Sequence, residues 1–173
     1  MPNYKHHSTK RLNIKPVTLE DAPFILELMN SPKWLKFIGD RNVHSVEEAE
    51  TYIREKALSQ LKKHGHTNNV VIRKKDQKKI GTCGIYHRDG KDEVDIGFAF
   101  LPPYEGKGYA YEAANELMKF AKTQLKLNII KAYTLEENKS SRKLLERLGL
   151  ELIGTGNLPN NDEKLLMYQR EFN

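Results

Sequence analysis

At 173 residues, with 38% apolar and 30% charged side chains, the chain fits one soluble globular domain with a heavily charged surface, which excludes extensive disorder. Its 29 Lys and Arg against 23 Asp and Glu leave a formal charge of +6, which favours encounter with anions, although the basic residues are scattered apart from runs at 73–79 and 5–11. The single cysteine, Cys83, excludes an intrachain disulfide and a cysteine metal cluster, no stretch approaches the ~18 apolar residues of a membrane span, and a cytoplasmic location is expected.

Residues 1–10 are polar and read as a flexible tail, with His6-His7 too short to argue a metal site. A single domain over 11–173 opens with Leu12 and Ile14 alternating with polar residues, a short half-buried strand ending near Pro16. Thr18-Leu-Glu-Asp21 resembles a capping box, and Ile25, Leu26 and Met29 follow at helical spacing until Asn30-Ser31-Pro32. Trp34, Leu35, Phe37 and Ile38 form an apolar cluster that fits neither a clean helix nor a strand. Packing is its expected role, with the wall of a substrate pocket as the alternative. Ser45-Val-Glu-Glu48 is a full capping box that opens a second helix of roughly four turns.

Val70 to Ile72 and Ile80 to Tyr86 predict a hairpin around Lys75–Lys78, and the turn dipeptide Asp89-Gly90 leads into a third antiparallel strand, Glu93 to Phe100. Two prolines stop that strand, Gly106 and Gly108 turn the chain, and Ala110, Ala113, Ala114, Leu117, Met118 and Ala121 then hold one face of an amphipathic helix. Residues 127–135 predict a strand parallel to the third, because a helix separates them. Asn138 or Ser140 caps a further helix ending at Gly149, and 150–153 and 164–170 read as closing strands around the polar loop Gly154 to Asp162.

A strand, a glycine turn and a helix start make a cradle for a phosphate, because glycine permits close approach and the first helical turn offers unpaired N–H groups. The Walker pattern fails at Gly108, where a hydroxyl residue belongs, and the dinucleotide fingerprint fails at Tyr111, where its third glycine belongs. Cys83, without an identifiable activator, reads as a small buried strand residue.

The run from Asp95 to Ala113, containing Leu-Pro-Pro-Tyr-Glu-Gly-Lys-Gly-Tyr-Ala, resembles the acetyl-CoA motif of the GNAT superfamily of N-acetyltransferases, in the branch that acetylates ribosomal-protein N-termini. Asn138-Lys-Ser-Ser141 with Leu144-Leu-Glu-Arg-Leu-Gly149 resembles the second signature of that branch, and Arg11 to Pro16 with Asp21-Ala22 its opening strand and helix. The resemblance implies an α/β (α+β) fold, a mixed and mostly antiparallel sheet of about six to seven strands flanked by about four helices, with a splayed strand pair at the cofactor site.

It also implies acetyl-CoA as co-substrate, no metal, and acetyl transfer to a primary amine, either a protein N-terminus or a small molecule. A non-catalytic acyl-CoA-binding module is the alternative. Neither a membrane nor nucleic acid is expected as partner, and the chain is expected as a monomer or homodimer. By resemblance, cofactor contacts fall to Phe100, Leu101, Gly106, Lys107, Gly108, Tyr109, Ala110 and Asn138, mainly through backbone at the turn. Asp95 and Glu93, on one strand face by period two, are candidate bases through water, and Ser141 is the candidate acid toward the leaving thiol. Two departures stand out. Glu105 places a carboxylate where the family carries a neutral or basic residue and is expected to face solvent, and Leu145 stands where many relatives carry an acidic tyrosine.

Overall fold

The computed structural model describes residues 4–88, 93–158 and 161–173. Eight strands form one sheet in the order β1-β2-β3-β4-β5-β6-β8-β7, somewhat more strands than expected. The extra strand lies in the supposed tail: β1 (His7–Ser8) pairs antiparallel with β2 (Leu12–Pro16). His7 is buried there, edge-on to Phe120 at 4.9 Å, so aromatic packing orders a segment whose polarity alone suggested mobility.

After β2 the Asp21 carboxylate accepts from the Thr18 backbone N–H at 2.8 Å, which starts α1 (Ala22–Met29). The apolar cluster that resisted assignment is a helix, α2 (Pro32–Phe37). Leu35, exposed at 42%, masks a period in which Trp34, Phe37 and Ile38 share one face. The second long helix runs as α3 (Val46–Tyr52), a π turn (Ile53–Leu58) and α4 (Ser59–His64), ending on Gly65 at φ +79°. Ser45 caps it by accepting from Glu48 N–H at 3.1 Å.

Strands β3 (Asn68–Arg73), β4 (Lys78–His87) and β5 (Val94–Phe100) are the expected antiparallel run. The Asp89-Gly90 turn lies outside the described residues. Helix α5 (Tyr109–Thr123) then crosses to β6 (Ile129–Thr134), parallel to β5, and α6 (Lys139–Arg147) leads to β7 (Glu151–Gly156) and β8 (Leu165–Glu171). The last strand inserts between β6 and β7, leaving β7 at the edge.

Helices cover both sheet faces. On one, the alanines Ala113, Ala114 and Ala121 let α5 approach the strands closely while Leu117 and Met118 fill the space beside Ile80, Ile96 and Ile130. On the other, α1, α3 and the π turn pack through Phe24, Leu28, Ala49 and Ile53 against Val70 and Leu101. No described helix is long and apolar enough to cross a membrane.

Candidate active site

The site follows from one topological fact. Strands β5 and β6 run parallel and register a single pair among the described residues, Asp95 with Lys131, after which they diverge. Parallel strands each followed by a helix place both helix starts at the same edge of the sheet. The opening between β5 and β6 is therefore flanked by the N-termini of α5 and α6, and it belongs to a cavity of about 800 Å³.

At the α5 side, the strand ends when Leu101 N–H donates to Ile80 O at 2.9 Å, and Pro102–Tyr104 makes a short 3-10 turn. Gly106 and Gly108 adopt φ +72° and +83°, the left-handed region that a side chain disfavours. Glu112 N–H donates to Gly108 O at 3.0 Å as the helix begins, so the amides of Gly108 through Tyr111 precede the helical ladder and point to its open end. A side chain just ahead of β2 braces this turn. Arg11 Nη1 donates to the Lys107 carbonyl at 2.9 Å, its Nε donates to Glu112 at 2.7 Å, and its guanidinium lies 4.3 Å over the Tyr109 ring. Burial works against ionisation of Glu112, yet hydrogen bonds from Thr9 and Arg11 hold its carboxyl below the ordinary value.

Of the expected cofactor residues, Phe100, Gly106, Gly108, Tyr109, Ala110 and Asn138 line the cavity. Leu101 instead packs into the core against α1 and α3, because its side chain points to the opposite sheet face from Phe100. Lys107 lies outside the lining, with its carbonyl held by Arg11. At the α6 side, Asn138 caps the helix by accepting from Ser141 N–H at 3.3 Å, and Ser141 lines the cavity. Glu105 does not simply face solvent: Lys33 of α2 forms an ion pair with it, so the discordant carboxylate is neutralised from a distant element.

The two candidate bases, Glu93 just ahead of β5 and Asp95 within it, have different surroundings. Asp95, 2% exposed, lines the cavity and accepts two hydrogen bonds from Arg88, at 2.9 and 3.0 Å. Glu93 is outside the lining, pairs with Lys131 at 2.6 Å, and accepts a hydrogen bond from the Tyr133 hydroxyl. Tyr133 does line the cavity, and burial together with Glu93 pushes its phenol up. Cys83 is fully buried, which pushes its thiol up, so it is inert as a nucleophile.

Sequence reasoning missed much of the remaining wall. Tyr86 lies across Gly84 and Gly97, where an added Cβ would meet it at 2.9 Å in each case, and its hydroxyl donates to Asn68 at 2.7 Å. The two glycines flanking a tyrosine on adjacent strands were the available signal. Arg11, Arg88 and Tyr133 carried no signal in a single sequence, because their partners are distant or depend on strand register.

Residues 11–151 match the family model of the acetyltransferase (GNAT) domain. The chain belongs to the GNAT acetyltransferase family. It is similar to the N-acetyltransferase p20 of Bacillus licheniformis, at 31% identity with 84% of this chain and 82% of that protein aligned. The N-acetyltransferase YnaD of Bacillus subtilis is similar at 28%, with 86% and 84% aligned. Among solved structures, an acetyltransferase from Agrobacterium tumefaciens superposes with a TM-score of 0.83 at 25% identity, covering 99% of this chain and 97% of that one. RimL, the ribosomal L7/L12 alpha-N-protein acetyltransferase solved with coenzyme A, superposes with a TM-score of 0.82 at 15% identity, covering 96% and 98%, and this likeness is one of fold. As a GNAT acetyltransferase the chain is an acyltransferase, and its family uses acetyl-CoA.

Proposed function

We propose that this chain transfers the acetyl group of acetyl-CoA directly to a primary amine, a protein N-terminus or a small molecule. The observation that carries the reading is the opening between β5 and β6, flanked by a glycine turn with unpaired amides on one side and an Asn-capped helix on the other. Amides from Gly106 to Ala110 suit the pyrophosphate, and the exposed backbone of β5 suits the pantetheine arm, which adds to it like a strand. Asn138 orients the thioester end.

Transfer forms a C–N bond and breaks the C–S bond, so an ammonium proton must leave before attack and a proton must reach the thiolate afterwards. Both carboxylates have both oxygens engaged, Asp95 by Arg88 and Glu93 by Tyr133 and Lys131; Glu93 is the acceptor in this reading, relayed through the Tyr133 hydroxyl that donates to it and lines the cavity. A backbone N–H of β5 serves the oxyanion, and Ser141 delivers the second proton. The binding-only alternative loses both of its motives: Lys33 neutralises Glu105, and Tyr133 supplies a cavity phenol that does not come from α6.

Incubation with acetyl-CoA and a panel of amines and N-terminal peptides, followed by free thiol, tests the proposal. Ser141→Ala is expected to lower kcat by about tenfold to a hundredfold while the Kd for acetyl-CoA moves less than threefold, general acid catalysis being worth roughly 10²–10⁴ at most. Turnover equal to wild type removes Ser141 from this role, and tight acetyl-CoA binding without thiol release from any amine removes the transfer reading.

A further inference from the structure

The cavity wall formed by α2, the α2–α3 connection, the π turn and the residue after β4 carries a charge pattern of its own. Its lining includes the cations Lys33, Arg41, Lys56 and Arg88, whereas Arg147 belongs to the α6 side, stacked 4.1 Å over Tyr111. Two of the four are engaged, Lys33 by Glu105 and Arg88 by Asp95. Arg41 and Lys56 have no carboxylate partner among the described residues. The one lining carboxylate without an ion-pair partner among the described residues is Glu163, on the segment before β8. The α2–α3 connection and the π turn thus face the cavity with positive charge, Arg41 and Lys56, and the end of α3 adds the aromatic surface of Tyr52.

The helix geometry concentrates that charge. Tyr52, Lys56 and Gln60 stand four residues apart along α3, the π turn and α4, and all three line the cavity. Positions four apart drift round a regular α-helix, and the wider π turn offsets the drift, keeping the three on one wall. Burial pushes the Tyr52 phenol up, while the charges of Arg41 and Arg88 act to lower it. A cationic acceptor such as a diamine would meet this wall with like charge, at an energetic cost.

We propose that the acceptor carries an anionic group, a carboxylate or a phosphate, which Arg41 and Lys56 hold beside Tyr52 while the amine faces the thioester. The inference rests on the transfer reading above and names its substrate class. The test uses the full chain with saturating acetyl-CoA and a ladder of alanyl-X-glycine amides in which X is Glu, Gln, Lys or phosphoserine, with aminopentanoate and aminopentanol as a small-molecule pair.

The anionic member of each pair is expected to have a kcat/KM about tenfold above the neutral one, allowing for two cations that remain partly solvated, and added salt narrows the ratio. Glu against phosphoserine distinguishes the carboxylate from the phosphate. Lys56→Glu is expected to reverse the order of the Glu and Lys peptides, a result that a merely structural role for this exposed residue would not give. Equal rates for Glu and Gln, or a preference for Lys, overturn the inference and leave the transfer reading standing. If no amine releases thiol, the transfer reading falls, and calorimetry of the Glu and Gln amides on the protein saturated with coenzyme A decides the subsite: equal Kd values overturn it.

Discussion

Replacing Asp95 by Asn keeps the shape of the side chain and removes its charge, leaving the Arg88 guanidinium against a neutral amide. The Asp95 side chain is 3% exposed and that of Arg88 31%. Breaking a buried pair by removing one partner costs about 3–5 kcal/mol, and the solvent still available to Arg88 brings the expected loss to about 2–3 kcal/mol. For a domain of this size that corresponds to a Tm lowered by about 5–10 °C. Urea denaturation of wild type, Asp95→Asn, Arg88→Met and the double variant measures it as a cycle. The double variant should recover to within about 1 kcal/mol of wild type, because the orphaned charge is gone. A loss below about 1 kcal/mol for Asp95→Asn, or no recovery in the double variant, refutes the claim that this pair is a desolvated, mutually dependent unit. At a temperature where the single variant is folded, its kcat should fall far less than that of Glu93→Gln; the opposite order would make Asp95 the proton acceptor.

The glycine turn gives a second test. Gly106→Ala meets no atom within 4 Å and Gly108→Ala meets only the terminal nitrogen of Arg11 at 3.2 Å, so both should lose about 1–2 kcal/mol from left-handed strain alone and weaken acetyl-CoA binding in calorimetry; full stability in Gly106→Ala would show that the conformation is not required. The depressed Glu112 carboxyl makes a pH prediction. Its contribution to stability is present above the unfolded value near about 4.3 and is lost as pH falls through the lower folded value, so the stability difference between wild type and Glu112→Gln should shrink below about pH 4 in urea titrations. A difference that stays constant from pH 7 to about 3 would refute the link.

Much of the glycine turn and of the helix that follows it was legible in the chain because it is local. Pro102-Pro103, Gly106, Gly108 and the alanine face of α5 are neighbours in sequence, and turn geometry, helix start and close packing follow from residue type at fixed spacing. Asn138 was readable for the same reason, as a cap three residues ahead of the N–H it receives. The α2 helix was hidden because an exposed Leu35 breaks the apolar period that normally reveals a helix. The pairing of His7 and Ser8 with β2 was not legible because the burial of His7 depends on Phe120, more than a hundred residues away.

By itself, then, the sequence determined most of the order of the elements, the parallel crossover from β5 to β6 and the glycine turn, all set by local backbone preferences and hydrophobic period. Only the tertiary structure decided what surrounds the opening between β5 and β6. Arg11 on the glycine loop, Lys33 on Glu105, Arg88 on Asp95 and Tyr133 on Glu93 are brought together by sheet register and by helices packed across it. Charge pairing depends on distance in space, which a single chain of residue types does not encode at long range.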